Sequence, residues 1–176
     1  MIPLSEYATV HKDAPLFEAV LALEKTHEKH NHDGYRHRTL FVLDDGGDVI
    51  GKVTRLDILG ALEPQYEHML NRKGMTGYGF SRSFMKSLLE QFQLWDGPMA
   101  DICKSAVKVP VYRFMYTPDE GESVDKDATL DEAIHQMVMG RYQSLQVTQS
   151  GRITGVLRMA DVFDTVFHVM KKSLKV

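Results

Sequence analysis

Two stretches of the sequence decide the fold: DVIGKVTRLDILGAL, residues 48–62, and RITGVLRMADVFDTV, residues 152–166. In each stretch an apolar, strand-like run crosses a glycine, reaches a polar corner and continues as an apolar, helix-like run. The corner runs from Thr54 to Asp57 in the first copy and from Arg158 to Asp161 in the second. A strand-to-helix corner made twice in one short chain predicts a two-fold module with a ligand site at each corner.

The first corner has two interpretations, and both stay open at this point. A helix N-terminus attracts anionic groups, the hydroxyl of Thr54 can donate to a phosphate oxygen, and the carboxylate of Asp57 can accept from ribose hydroxyls. The same T-x-x-D spacing is also a capping box, in which Thr54 caps the amide of Asp57. In the second copy Arg158 replaces the threonine, so the cap is lost although Asp161 remains.

The segments ahead of the two corners are repeated as well. A helical stripe recurs 114 positions later, with Leu16, Ala19, Val20 and Leu23 matched by Leu130, Ala133, Ile134 and Met137. Thr129 and Glu132 have the spacing of a capping box for the second of these helices. Strand-like runs TLFVL (39–43) and SLQVT (144–148) lie between each helix and its corner. Each repeat is therefore predicted to have the order strand, helix, strand, strand, helix.

We predict a first repeat over residues 1–63, a helical connector and lead-in over 64–110, and a second repeat over 111–176. Apolar residues at helical spacing predict a connector helix over 81–95, and Gly97-Pro98 ends it. The glycine-rich stretch ahead of this helix, with Gly74, Gly77 and Gly79, is interpreted as a hinge or turn rather than a dinucleotide cradle.

Composition excludes several classes of protein. The chain has 176 residues, 43% hydrophobic and 26% charged, with a formal net charge of −3. These values fit a globular protein without the basic face of a nucleic-acid binder. Cys103 is the single cysteine, so no disulfide framework is expected. We see no signal peptide and no membrane span, which favours a cytoplasmic location, and no catalytic constellation, so the protein is not expected to be an enzyme.

The two copies together resemble a tandem pair of CBS domains, a Bateman module. The resemblance rests on ATVHKDAPLFEAV with TLFVLDDGGDVIGKVTRLDIL, and on SVDKDATLDEAIHQM with SLQVTQSGRITGVLRMADVF. It implies an α+β fold in which two β-α-β-β-α repeats pack sheet to sheet about a pseudo-two-fold axis. It also implies frequent assembly into a homodimer and a regulatory role, in which AMP, ADP, ATP or S-adenosylmethionine binds between the repeats and an unknown partner protein senses the bound state.

The same resemblance supplies candidate ligand-binding residues: Thr54, Arg55, Asp57, Ser144, Arg158 and Asp161. Asp57 and Asp161 would hold ribose hydroxyls, and Thr54 would meet phosphate or ribose. Arg55 or Arg158 would pair with phosphate, although Arg158 can equally be a solvated arginine at a strand end. The sequence departs from the family pattern at Arg158, which replaces Ser or Thr, and at Phe41 and Gln146, which replace the usual proline. We therefore expect the Asp57 site to be the better adenosine site.

Two other functions remain as alternatives. One is a partner-binding module whose ligand sites have decayed, with a docking face around Phe84 and Trp95. The other is a metal sensor built on the cluster His27, His30, His32 and His37, although neighbouring lysines and arginines disfavour a cation there.

Overall fold

The computed structural model describes residues 1–29, 39–66 and 80–174, with side chains up to Thr26 in the first range. The predicted hinge at Gly74, Gly77 and Gly79 lies outside these residues. The strands are β1 (Ile2–Pro3), β2 (Thr9–His11), β3 (Thr39–Leu43), β4 (Val49–Thr54), β5 (Ser123–Asp125), β6 (Ser144–Gln149) and β7 (Arg152–Arg158). The helices are α1 (Leu16–Lys29), α2 (Arg55–Ala61), α3 (Arg82–Gln91), α4 (Met99–Ala106), α5 (Leu130–Gly140) and α6 (Met159–Leu174).

Each repeat has the predicted order of strand, helix, strand, strand, helix. In the first repeat β2 runs parallel to β3, and β3 pairs antiparallel with β4. In the second repeat β5, β6 and β7 repeat the arrangement. The register repeats too, since Val42 lies opposite Gly51 and Val147 opposite Gly155. The mixed α and β architecture with two sheets is confirmed.

The segment that leads into each repeat pairs with the sheet of the other repeat. Strand β1 lies antiparallel to β7, with Ile2 opposite Val156. Tyr116, 114 positions after Ile2, forms an antiparallel bridge to Lys52 in β4. The two lead segments are therefore exchanged, and this exchange ties the repeats together through backbone hydrogen bonds.

The exchange explains the glycine in each of the two deciding stretches. A Cβ atom on Gly51 would lie 2.8 Å from Met115 Sδ and 3.1 Å from the carbonyl oxygen of Tyr116. A Cβ atom on Gly155 would lie 2.7 Å from the carbonyl oxygen of Ile2. Only glycine lets the lead segment approach the strand this closely.

We expect Gly155→Ala to lower the free energy of unfolding by about 1–3 kcal/mol, because the backbone of β1 must move away. Gly60→Ala is the matched control, since its added methyl group meets nothing within 4 Å and alanine favours helix α2. Urea unfolding of both variants measures the difference. Equal stabilities for the two variants would show that β1 is not held against Gly155.

Each repeat has its own apolar core between its sheet and its helices. The first core contains Val10, Ala14, Ala19, Leu23, Leu40, Val42, Val53 and Val111. The second contains Val124, Ala133, Met137, Leu145, Val147 and Val162. Side chains alternate along a strand, so the residues between these core positions face the other repeat. Phe41 and Val156 are buried there although they belong to neither core.

The connector is anchored at the end of the first repeat. Ser81 caps helix α3 by accepting from the amide of Phe84 at 3.2 Å. Beyond this helix, Trp95 donates through its indole Nε1 to Tyr66 Oη at 2.9 Å and through its amide to Glu63 Oε2 at 2.7 Å. Glu63 is buried, so its carboxylate fixes where the connector leaves the repeat.

Candidate functional site

The first corner is a complete capping box. The amide and the hydroxyl of Thr54 both donate to Asp57 Oδ2 at 2.7 Å, and the amide of Asp57 donates to Thr54 Oγ1 at 3.4 Å. The capping interpretation is thus confirmed as the local structure of this corner. The capping box leaves Asp57 Oδ1 available to accept a hydrogen bond, because no described residue donates to this oxygen.

The second corner is an ion pair. Arg158 Nε donates to Asp161 Oδ2 at 3.0 Å, and Arg158 Nη2 donates to Asp161 Oδ1 at 2.5 Å. The two side chains are only 22% and 24% exposed, so Arg158 is not a solvated strand-end arginine. Both carboxylate oxygens of Asp161 accept from the guanidinium, which makes this corner chemically different from the first.

This ion pair gives the protein an acid-sensitive contribution to stability. The Arg158 guanidinium holds the pKa of Asp161 below its usual value of 3.8. A carboxyl group whose pKa is lower in the folded state than in the unfolded state stabilises the fold at any pH above its unfolded-state pKa. That contribution is lost as the pH falls through the folded-state pKa. We expect Asp161→Asn to cost about 1 kcal/mol at pH 7 and much less at pH 3, measured by urea unfolding. A cost independent of pH would contradict the assignment.

Tyr7 lies beside the second corner. The pairing of β1 with β7 brings the segment that contains Tyr7 to this end of the second repeat. Burial raises the pKa of Tyr7 to about 12, and the charges of Arg158 and Asp161 act on the phenol as well. The Tyr7 ring packs edge-on against Phe41, with 5.3 Å between ring centroids. Gly121 holds the matching place 114 positions later and carries no side chain. At Gly121 the space that a side chain would enter is already taken, since an added Cβ atom would lie 3.0 Å from Tyr142 Oη and 3.2 Å from Asp119 Oδ1. The two corners therefore differ in which side chains lie beside them.

The walls near the two corners also differ in charge. Lys52 Nζ pairs with Glu122 Oε2 at 3.1 Å, and the two side chains are 16% and 9% exposed. The ammonium lies 5.0 Å from the ring centroid of Tyr116. Burial and, next, the nearby charge of Glu122 raise the pKa of the Tyr116 phenol. By the repeat, Val156 matches Lys52 and Ala8 matches Glu122. One crossing between the repeats is thus charged and the other apolar.

Gln146 is the clearest unsatisfied polar group between the repeats. Its side chain is 6% exposed, and its amide nitrogen Nε2 has no hydrogen-bond partner among the described residues. Leu145 and Val147 on either side belong to the core of the second repeat, so Gln146 faces the other way, toward the first repeat. A buried amide donor without a partner is costly unless something else accepts its hydrogen atoms.

The remaining predicted residues are placed as follows. Ser144 lies opposite Arg158 in the pairing of β6 with β7, so it belongs to the second corner. Arg55 approaches Glu24 Oε1 of α1 at 3.7 Å, and both of these side chains are exposed. The structure therefore brings Thr54 and Asp57 together at one corner and groups Ser144 with the ion pair at the other, while Arg55 stands apart from both.

The predicted histidine cluster falls outside what the structure describes, because His30, His32 and His37 and the side chain of His27 are not among the described atoms. Within the described residues, His11, Asp13 and Asp45 come within metal-ligand distance of one another. These three side chains are exposed, and Lys12 already pairs with the Asp45 carboxylate. The Lys12 ammonium group thus already neutralises the Asp45 carboxylate, as a bound metal cation would.

Comparison with known proteins identifies the repeats. The sequence pattern that defines the CBS domain matches residues 2–64 and 114–168, which together make up well over half of the chain. No curated protein sequence is similar enough to count as a relative. Within the described residues, no helix has the length and apolar character needed to cross a bilayer.

Solved structures share the fold at low sequence identity. CBSX2 from Arabidopsis thaliana is 15% identical, with 97% of this chain and 93% of that chain covered and a TM-score of 0.58. CBSX2 in complex with AMP is also 15% identical, with 97% and 94% covered and a TM-score of 0.57. A putative acetoin utilization protein from Vibrio cholerae is 14% identical, with 100% and 97% covered and a TM-score of 0.55.

Proposed function

Because the chain belongs to the CBS-domain family, we propose that it is a regulatory module that binds one adenine nucleotide per chain at the Thr54–Asp57 corner. The observation that carries the proposal is the inequality of the two corners. Asp57 keeps one carboxylate oxygen available, whereas Arg158 occupies both oxygens of Asp161. A carboxylate oxygen held in place and open to one side suits the hydroxyl groups of a ribose.

Thr54, Asp57 and Gln146 each have a role in this proposal, which places Gln146 beside the bound ligand. The capping box fixes the direction of the Asp57 carboxylate, so Thr54 acts as a positioning residue. Gln146, whose buried amide lacks a partner, supplies a donor for a ring nitrogen of the base. The bound AMP in a structure of the same fold supports an adenine nucleotide as the ligand.

The regulatory step in the proposal is a change in how the two repeats are held together. A ligand between the repeats favours the arrangement in which it makes more contacts, and this preference shifts the population of conformations. The crossing segments that join the repeats, β1 and the bridge at Tyr116, carry such a shift from one repeat to the other. A partner protein that contacts both repeats would sense the difference.

The module is also proposed to assemble as a homodimer. Large apolar side chains are exposed on the helices of both repeats: Phe17, Leu21, Leu56, Leu59, Val138, Met139, Phe163, Phe167 and Met170. Exposed apolar side chains that form a contiguous patch are typical of protein–protein contact surfaces. A second copy would cover the same helices on each chain, as closed symmetry requires.

Isothermal titration calorimetry with AMP, ADP, ATP and S-adenosylmethionine tests the function. We expect at least one of these four ligands to bind with a stoichiometry of one per chain. If none of them binds at millimolar concentration, the nucleotide function is excluded and the alternative of a module without a ligand is favoured. If binding shows two equivalent sites, the inequality of the corners has no functional consequence.

A further inference from the structure

One edge of the first repeat is covered by a backbone segment of the same chain. Residues 107–112 cross the start of helix α1 as a turn, a bridge between Pro110 and Pro15, and the beginning of a 3-10 helix at Val111. Four hydrogen bonds hold the segment: Leu16 N to Val109 O (2.7 Å), Phe17 N to Val107 O (3.3 Å), Val111 N to Ala14 O (2.9 Å) and Tyr112 N to Lys12 O (2.9 Å). The side chain of Val111 is fully buried in the core of the first repeat. This segment thus closes the gap between β2 and α1.

The same edge of the second repeat has no such cover among the described residues. The groups that match the four anchors, 114 positions later, are Lys126 O, Ala128 O, Leu130 N and Asp131 N. None of them makes the corresponding hydrogen bond within the described chain. Leu130 is 40% exposed, whereas its counterpart Leu16 is 4% exposed. The predicted apolar stripe of α5 therefore begins on an open surface.

A groove of about 850 Å³ lies at this uncovered edge. Val124 and Ala128 line its apolar part, and they match Val10 and Ala14, the residues that Val111 covers in the first repeat. Gln136 also lines the groove, and its side-chain oxygen Oε1 is buried without a partner. The groove thus offers a place for a small apolar side chain and free acceptors for backbone N–H groups.

The charge of the groove restricts what can occupy it. Its lining carboxylates are those of Asp125, Asp127, Asp131 and Glu132, and no lysine or arginine lines it. At the place of Asp131 the first repeat has Phe17, and at the place of Asp125 it has His11. At this edge the second repeat is therefore acidic, whereas the first repeat binds the backbone of residues 107–112 there.

We propose that this groove binds a basic segment of a partner protein. The segment places a valine-like side chain over Val124 and Ala128, adds its backbone to the first turn of α5 as residues 107–112 do at α1, and carries lysine or arginine opposite the four carboxylates. In this binding mode, hydrogen bonds between the two backbones hold the partner segment, and the four carboxylates select for its positive charge. It uses no residue of the Thr54–Asp57 corner, so it stands or fails separately from nucleotide binding.

A labelled peptide with the sequence of residues 105–113, SAVKVPVYR, is the probe, because it reproduces the covering segment and carries Lys108 and Arg113. Fluorescence anisotropy measures its binding to the full chain. We expect Asp127→Lys with Asp131→Lys to weaken binding by about tenfold. The matched control is Asp101→Lys with Asp164→Lys, which makes the same change of charge on exposed residues elsewhere and is expected to leave the affinity within about twofold.

Amide chemical shifts locate the bound peptide. We expect the amides of Leu130 and Asp131 to shift as the peptide is added, because they would donate to its carbonyl groups, and the amides of Leu16 and Phe17 to stay in place. Absence of binding at millimolar peptide would overturn the proposal, as would equal weakening by the two pairs of variants. Shifts at Leu16 and Phe17 instead would overturn it as well, since the peptide would then be displacing the chain's own segment.

Discussion

Lys52→Met is expected to lower the free energy of unfolding by about 3 kcal/mol or more, because it leaves a buried carboxylate without its cation. Glu122 is 7% exposed and accepts from Lys52 at 3.1 and 3.3 Å. The Tyr116 ring remains nearby in the variant, but a neutral side chain does not compensate a full negative charge. Urea unfolding at pH 7 measures the loss.

The equivalent position in the other repeat shows which pair of uncharged residues can replace this ion pair. At the equivalent crossing, Val156 and Ala8 stand where Lys52 and Glu122 stand here. We therefore expect Lys52→Val with Glu122→Ala together to be more stable than either single variant, since removing both partners leaves no unpaired charge. If the losses of unfolding free energy in Lys52→Val and in Glu122→Ala simply add in the double variant, the ion pair does not hold the repeats together.

Asp57→Ala is expected to weaken binding of the adenine nucleotide by roughly a hundredfold, or about 2–3 kcal/mol, because hydrogen bonds to a charged group are the strong ones. In the proposed complex the carboxylate would contact the ligand through Oδ1, the oxygen that the capping box leaves available. Calorimetry on the variant with the ligand that binds the wild-type chain gives the loss directly.

Two controls separate ligand contact from helix capping. Glu132→Ala removes the carboxylate of the second capping box, in which Thr129 donates to Glu132 Oε2 at 2.8 Å, and it should leave nucleotide affinity unchanged. Asp161→Ala removes the carboxylate that Arg158 occupies and should change the affinity by less than about twofold. If Asp161→Ala lowers the nucleotide affinity as much as Asp57→Ala does, the nucleotide binds at both corners.

The repeated pattern in the sequence was sufficient to predict the fold. Apolar stripes at helical spacing, the strand-like runs and the glycine ahead of each corner predicted both repeats, and the structure confirms their order. The capping box at Thr129 and Glu132 is confirmed too. These features depend on residues close together in the chain, where spacing alone decides which side chains share a face.

The exchange of lead segments was not predictable in the same way. Strand β1 pairs with β7, which lies about 150 residues away in the sequence. The pairing depends on the packing of the two repeats, which no local pattern encodes. The glycines carried the available signal, because each is needed where the other repeat's lead segment approaches.

The difference between the corners was visible in part. Arg158 in place of threonine predicted an altered second corner, but the sequence did not show that the arginine would pair with Asp161 rather than remain available to a phosphate. Tyr7 was missed as a residue of that corner. Its alignment with Gly121 at the repeat distance was the signal that could have revealed it.

Native mass spectrometry of the chain with the nucleotide that binds in calorimetry tests most directly whether two corners of the same fold differ in what they bind. We expect one nucleotide per chain in the wild type and strongly reduced occupancy in Asp57→Ala at the same nucleotide concentration, because Arg158 holds both carboxylate oxygens of Asp161. Two nucleotides per chain in the wild type, or undiminished occupancy in Asp57→Ala, would contradict this expectation.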